Sequence, residues 1–433
     1  MVLQNQNEVR ATGGFIGATV EVPVSSGVLG ELVFDDSTLI DAPPLVNNPP
    51  APEPLFWYLW MGRLLFRDAN WNPDFPTSAS TLANLYEETR PVEFDGVFSG
   101  TKLLALDIVD VLGTVRVPGV DGPLDRAAAA RYVEGELTYR CRSDHVSQRG
   151  KRCFDEDLLP ALMDGLRLDL SASSRAEFIE VIRQHLRGKD VQVFMHDAEI
   201  QELILRSGWG GKVPSPAQDL LMVIDSSFPG HMTASIARTW DYRMRLVPGG
   251  TSEGSLLLRF ENGRAADGAV CRQADPNGGG CYWNYVRVFL SPKAMNVQVP
   301  SAPLHEGSEK LTWGHRDLET TSVITHAAAG LAGLVEVGAY VVVEPESTLT
   351  LPVRYDLSSS VLRELGGNQF EYRLQLVKQS GIANDRIRVR FELPLGAKVV
   401  ASSPEGFAVL ADDVRWEGGL TEDTQVVLRF RVN

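Results

Sequence analysis

Asp219-Leu220-Leu221-Met222-Val223-Ile224-Asp225 is an uninterrupted apolar run closed at each end by an aspartate. Five apolar residues with no polar alternation read as a strand buried on both faces, as in a layered α/β domain. Upstream of it the signals alternate. Residues 14–24 alternate apolar and small side chains like a strand, and 29–34 look like its hairpin partner. A proline-rich loop over 43–54 leads into an apolar element over 55–66. Thr77-Ser78-Ala79-Ser80 precedes a capped helix around 82–86, and 94–98 reads as a strand. Helical spacing over 102–112 ends at Gly113, and 115–118 is a short strand. Three further helices are expected over 154–168, from a serine cap at 171–174 to 186, and over 197–205. Downstream of about Ile236 the pattern changes to short strands and turns, with strands at 242–247, 255–260, 285–290, 335–343, 348–353, 370–377, 387–393, 397–401 and 426–432. The expected fold is therefore an α/β layered domain over 1–235 followed by an all-β antiparallel sandwich, immunoglobulin-like, over 236–433.

At 433 residues the chain is long enough for two or three cores. Its net charge of −15 argues against a general nucleic-acid binder, which needs a basic surface to displace counterions. The longest apolar run, 55–66, contains Arg63 and is too short to span a bilayer. Met1 runs straight into Val2-Leu3-Gln4, which reads as mid-strand. The expectation is that the native protein carries a further N-terminal segment, a signal anchor that attaches it to the membrane.

The four cysteines form two local pairs, Cys141 with Cys153 and Cys271 with Cys281. This spacing favours two disulfides, each worth about 2–3 kcal/mol by loop closure, in an oxidising compartment. Four buried thiols in a cytosolic protein are the competing reading. No spacing of cysteine and histidine suggests zinc.

Arginine supplies 33 of the 41 basic residues. Arg10 stands before Ala11-Thr12-Gly13-Gly14, Arg67 beside Asp68, and Arg149 with Arg152 in a third basic cluster. Convergent arginines suit phosphate, because a planar, permanently charged fork binds two oxygens at once. The glycines permit a bend that brings backbone amides to an anion. Asp68 and Asp74 are candidate magnesium ligands through oxygen. Against this stand plain turn glycines, local ion pairs and chance clustering of the preferred cation. Phe56, Trp57, Tyr58, Trp60, Phe66 and Trp71 are dense enough to line a groove for a lipid tail, or to form core. No nucleophile elbow, phosphate-binding Walker loop or zinc-protease motif is present.

With those residues in view, the chain resembles the bacterial DUF4012 family, whose members begin with a QNnnElRatGGFiG segment followed by RDANwsPDFP. Here the segments read QNQNEVRATGGFIG (4–17) and RDANWNPDFP (67–76). A later family segment, vvDsN.GgnK, is replaced by VIDSSFPGHM (223–232). More distantly, the first domain is similar to the LytR-CpsA-Psr (LCP) family of envelope enzymes, which move glycopolymers from polyprenyl-pyrophosphate carriers onto the cell wall.

That second resemblance implies an LCP-like α/β/α fold with a hydrophobic tunnel for the lipid. It implies Arg10, Arg67, Arg149 and Arg152 on the phosphates, Arg67 and Asp68 as catalytic residues, and Mg2+ held by Asp68 and Asp74. Thr12 stands where the family has an aspartate, and Cys153 where it has a glutamine. The implied function is an extracytoplasmic, membrane-anchored cell-envelope protein that binds a polyprenyl-linked phosphorylated glycan or cell-wall polymer, with phosphotransferase activity. The alternative is a non-catalytic envelope binding or scaffold protein that keeps the fold.

Overall fold

The computed structural model describes residues 1–42, 47–59, 61–147, 150–167, 170–228, 230, 232–268, 270–301, 304–308, 324–327, 331, 333–383, 385–410 and 412–432. The chain forms two compact units. The first comprises Met1–Gln6, Arg10–Pro52 and Met61–Lys212, and the second comprises Asn7–Val9, Glu53–Trp60 and Val213–Asn433.

The first unit is mixed α/β. Its strands are β1 (Val2–Asn5), β2 (Phe15–Glu21), a short ribbon of β3 (Val24–Ser25) with β4 (Val28–Leu29), β5 (Val33–Asp36), β6 (Gly96–Thr101) and β7 (Val191–Met195). The sheet order is β5-β2-β1-β6-β7. Only β1 and β6 run parallel in it, and the other neighbours are antiparallel.

Helices α1 (Ser37–Ile40), α3 (Phe75–Glu87), α4 (Lys102–Leu112), α5 (Arg126–Val133), α6 (Gly150–Arg167), α7 (Ala172–Arg187) and α8 (Ala198–Arg206) belong to this unit, while α2 (Glu53–Leu59) belongs to the second. Their ends follow the chemistry of the sequence. Asp74, Asp125, Ser171 and Asp197 accept from first-turn amides of α3, α5, α7 and α8. Gly113 closes α4 at φ 75°, a conformation that costs glycine nothing. Leu106 and Val109 of α4 pack with Phe154, Leu158 and Leu162 of α6 and Tyr139 in one apolar cluster. Strand β7 and helix α5 carried too little apolar pattern to be expected; β7 pairs only at the sheet edge.

The second unit is two sheets around a large apolar core. Its strands are β8 (Asp219–Ile224), β9 (Ile236–Arg245), β10 (Ser252–Asn262), β11 (Tyr282–Leu290), β12 (Ala294–Gln298), β13 (Ile324–Ala327), β14 (Val335–Val343), β15 (Thr348–Leu357), β16 (Arg363–Gly366), β17 (Gln369–Val377), β18 (Asp385–Glu392), β19 (Lys398–Ser403), β20 (Ala408–Leu410), β21 (Asp413–Gly419) and β22 (Thr424–Arg431). One sheet has the order β12-β15-β10-β9-β18-β21-β20; the other is β13-β14-β11-β8-β17-β22-β19, with β16 on β17. Each sheet is two antiparallel blocks joined by one parallel pair, β9 with β18 and β8 with β17. In β9, Trp240, Tyr242 and Met244 point into the core while Arg243 and Arg245 face water, the period-2 signature of a sheet wetted on one side.

By contacts the chain divides at Val213 rather than at 236, so the Leu220–Ile224 run lies in the second unit and does not close the first. A fully apolar run reports burial on both faces without saying which sheet supplies the neighbours. Its flanking aspartates anchor it. Asp219 accepts from the hydroxyls of Tyr242 (2.9 Å) and Tyr372 (2.5 Å), and burial pushes its carboxyl up to about 6. Asp225 accepts from Tyr282 (2.8 Å) and pairs with Arg238. Strand β11 is buried along its whole length, and Tyr58 of α2 stacks on Tyr340 of β14 at 4.2 Å and lies 5.4 Å from Tyr285. The aromatic stretch is thus divided: Tyr58 is core of the second unit, Phe66 is buried in the first, Phe56 is 43% exposed, and Trp60 lies outside the described residues.

Candidate functional site

Gln4, at the inner end of β1, organises the first motif. Its Oε1 accepts from the Gly14 amide (2.9 Å), the Asn70 side-chain amide (2.7 Å) and the Thr12 hydroxyl (3.3 Å). Asn70 also donates to the Gly14 carbonyl (2.8 Å), and Gln192 of β7 donates to the Thr12 carbonyl (2.8 Å). The two motifs, 4–17 and 67–76, are therefore stitched together by buried amides. Gly13 sits at φ 140°, and a Cβ on Gly14 would fall 2.1 Å from the Asn5 carbonyl oxygen, so both glycines are required by the backbone. The Gly13 amide donates to Arg10 O and the Gly14 amide to Gln4. These amides are spent within the fold. Thr12 is likewise a structural hydroxyl.

Beyond this node, arginines and aspartates alternate around the short helix α1. Arg10 is 4% exposed and donates from Nε to Asp68 Oδ1 at 2.8 Å, with its guanidinium 5.8 Å from the centre of the Phe15 ring. Arg67, about one-third exposed, lies 4.0 Å from Asp68 and 3.7 Å from Asp41. Asp41 ends α1 and accepts from the Phe66 amide (2.7 Å); burial raises its pKa against the pull of that bond and of Arg67. At the other end of α1, Asp36 caps Thr38 and pairs with Arg152. Burial works to raise Asp36, but hydrogen bonds from Thr38 and Ser147 and the Arg152 charge hold it below the usual carboxylate range.

Arg10 and Arg67 thus share Asp68, and Arg67 also reaches Asp41, whereas Arg152 forms a separate pair with Asp36 at the other end of α1. Arg149 lies outside the described residues. The sequence reading singled out the arginines and Asp68 but missed Asp36 and Asp41. The available signal was Asp36 before Ser37-Thr38, a serviceable N-cap; Asp41 at the C-terminal end offered none.

Asp74 is committed elsewhere: it caps α3, accepting from the Thr77 hydroxyl (2.8 Å) and amide (3.3 Å). Asp68 is held by arginine. This donor set does not fit a shared divalent ion. Among the described residues, the groups of three with metal-ligating atoms close together are Cys141, His145, Cys153 and Cys271, His305, Glu344. Both include disulfide sulfurs, because the structure joins Cys141 to Cys153 and Cys271 to Cys281 with Cα separations of 5.5 and 5.7 Å. No helix among the described residues is long and apolar enough to cross a membrane.

A cavity of about 680 Å3 opens within the first unit. Its wall is largely apolar, with Val20, Phe66, Leu82, Val97, Phe98 and Leu104 prominent, and it lies in the size range of small-molecule sites. Its polar lining is Thr19, Glu21, Tyr86, Glu93, Asp95 and Ser99. The Tyr86 hydroxyl donates to Glu21 (2.9 Å), and burial and that carboxylate push the phenol well above its ordinary value. None of Arg10, Arg67 or Arg152 lines the cavity, but Phe66, which does, directly precedes Arg67.

Residues 1–137 match the DUF4012 family model, described as a protein of unknown function. Both quoted motifs fall inside that span. No curated protein matches the chain. Among solved structures, a putative nutrient binding protein from Legionella pneumophila is similar with a TM-score of 0.32 and 11% identity, over 50% of this chain and 72% of that one. Leukotriene A4 hydrolase of yeast is similar with a TM-score of 0.23 and 7% identity, over 45% of this chain and 29% of the hydrolase. At these scores neither bears on function.

Proposed function

We propose that this protein binds a polyprenyl-linked phosphate or pyrophosphate, carrying a phosphorylated glycan, at the outer side of the bacterial cell envelope. The observation that carries the reading is the largely apolar cavity of about 680 Å3 in the first unit, one of whose lining residues, Phe66, is the chain neighbour of Arg67. An isoprenoid tail suits the cavity, and the partly exposed Arg67, with Arg152, suits the phosphate. The two disulfides fit an oxidising, extracytoplasmic compartment.

Binding without turnover is the reading we favour over a phosphotransferase. Each described arginine of the cluster already faces a carboxylate, Thr12 replaces the aspartate of the LCP pattern, and Asp74 is a helix cap. Nothing in that set is placed to activate a nucleophile or hold a metal.

The test is calorimetry with isopentenyl, geranyl and farnesyl phosphate and with inorganic pyrophosphate. Each buried methylene is worth about 0.8 kcal/mol, so affinity should climb steeply with chain length. Arg67→Ala and Arg152→Ala should each weaken farnesyl phosphate about tenfold, and Arg67→Lys should recover part of the loss because it keeps charge without the fork. Arg388→Ala should do nothing. Equal affinities for isopentenyl and farnesyl phosphate would refute the lipid reading, and equal effects of all the arginines would leave only diffuse electrostatics.

A further inference from the structure

The segment Val22-Pro23-Val24-Ser25-Ser26-Gly27-Val28-Leu29-Gly30 contains no charged side chain. It folds as a ribbon in which Val24 faces Leu29 and Ser25 faces Val28. The turn places Ser26 at φ 51° and Gly27 at φ 77°, two successive left-handed residues, as a tight two-residue hairpin requires, and the Gly30 amide closes on the Pro23 carbonyl at 2.8 Å. The ribbon is well formed yet apolar outside. Val24 and Val28 are 65% and 68% exposed, and Val22 and Val33 at its base are 41% and 50% exposed. Isolated exposed valines need no explanation, but three on one uncharged projection, with Val33 just beyond Glu31 at its base, do.

The base of this ribbon is also a wall of the apolar cavity, because Val22, Pro23 and Val24 line it. The cavity wall and the exposed hairpin therefore share the apolar residues Val22, Pro23 and Val24. We infer that the 22–30 hairpin dips into the lipid bilayer and gives a lipid tail a dry path from the membrane into the cavity. This rests on the proposed lipid-binding reading. The bilayer is the occupant favoured over a protein partner because the cavity's guest resides there and because the hairpin offers no charge for a specific polar contact. With no lysine or arginine between residues 22 and 33 and Glu31 exposed at its base, adhesion to a zwitterionic bilayer comes from apolar burial, is insensitive to salt and gains nothing from anionic lipid.

The test uses the full chain and vesicles of phosphatidylcholine. The four native cysteines are all in disulfides, so Val28→Cys offers one thiol for an environment-sensitive fluorophore. Vesicles should shift its emission to the blue, and lipids spin-labelled on the acyl chain should quench it, equally at low and high salt. Val28 does not line the cavity, so Val28→Glu should reduce vesicle association at least tenfold while leaving farnesyl phosphate binding in solution unchanged.

Absence of a blue shift, or vesicle binding undiminished in Val28→Glu, would overturn the inference. So would a dimer that Val28→Glu dissociates in a protein indifferent to vesicles. Farnesyl phosphate binding without vesicle binding sinks the hairpin and spares the ligand reading; the reverse pattern sinks the ligand reading and leaves the hairpin a membrane contact.

Discussion

Arg238 in the second unit and Arg67 in the first both sit between two aspartates, and their settings separate two uses of one residue type. Arg238 is sealed in, with side-chain exposures of 3% for itself, 0% for Asp225 and 1% for Asp385. It bonds Asp385 at 2.6 and 2.5 Å, Asp225 at 2.8 Å and Gln379 at 3.2 Å, so its fork is saturated in its own fold. Arg67 is about one-third exposed and reaches its aspartates only at 3.7 and 4.0 Å. A saturated, buried arginine has nothing left for a ligand, whereas a loosely held one at the surface can exchange a carboxylate for a phosphate. Clustering of arginine in the sequence does not distinguish the two; solvent access and bond length do.

The largest expected effect lies at the sealed site. Arg238→Ala leaves two carboxylates in a dry core, and breaking such a pair from one side costs about 3–5 kcal/mol. Urea unfolding of the full chain should show that loss with farnesyl phosphate binding retained in whatever remains folded at low denaturant. A loss under about 1 kcal/mol would mean that water reaches the triad, and the contrast with Arg67 would disappear.

How far this contrast was visible beforehand depends on what kind of signal each region carries. Helix α4 was readable to the residue, because apolar spacing and Gly113 mark both its body and its end. All nine strands expected after Ile236 are present, since each alternates or carries β-branched and aromatic residues between turns. Strands β12, β16 and β20 at the margins of the sheets lack that burial and gave no comparable pattern.

At the candidate site the sequence drew attention to charge. The buried node proved to be amides: Gln4 and Asn70 stood inside both motifs, but an amide's role depends on which backbone groups surround it, and that is set by tertiary structure. An apolar groove was expected from the aromatic stretch and a tunnel from the resemblance, yet among the described residues of that stretch only Phe66 lines the cavity. Its walls come from strands, helices and loops scattered between residues 1 and 195, with no local period.

His185 asks whether the first unit also holds a pair of the sealed kind. It is buried in α7, with Nε2 2.9 Å from Asp107 of α4 and Nδ1 3.5 Å from Asp190. Burial works to lower its pKa, but the hydrogen bond to Asp107 and the close carboxylates of Asp190 and Asp107 outweigh it and raise it to about 9 from 6.5. A histidine whose folded pKa exceeds its unfolded value stabilises fully below the unfolded value and loses that contribution as pH rises through the folded one. Stability should therefore decline between pH 6.5 and about 9. In His185→Gln that slope should flatten. A wild-type profile already flat over this window would show that the α4–α7 ion pair is wet.

The smallest change in stability belongs to Arg67→Ala, and it is the one that makes the comparison decisive. Arg67 makes no short ion pair, and Asp68 keeps Arg10 at 2.8 Å while Asp41 keeps the Phe66 amide at 2.7 Å when it is removed. Neither carboxylate is left alone, so the loss should fall within about 1 kcal/mol, as for exposed pairs generally. Burial already raises the pKa of Asp41, and losing the nearby cation should raise it further. The stability lost in Arg67→Ala should accordingly be greatest above the carboxylate range and vanish in acid, which unfolding at several pH values will read. A loss as large as that in Arg238→Ala would place Arg67 among the structural arginines and remove it from the phosphate site. A small loss, paired with the tenfold weaker farnesyl phosphate binding, would mark it as a residue held in readiness for a ligand.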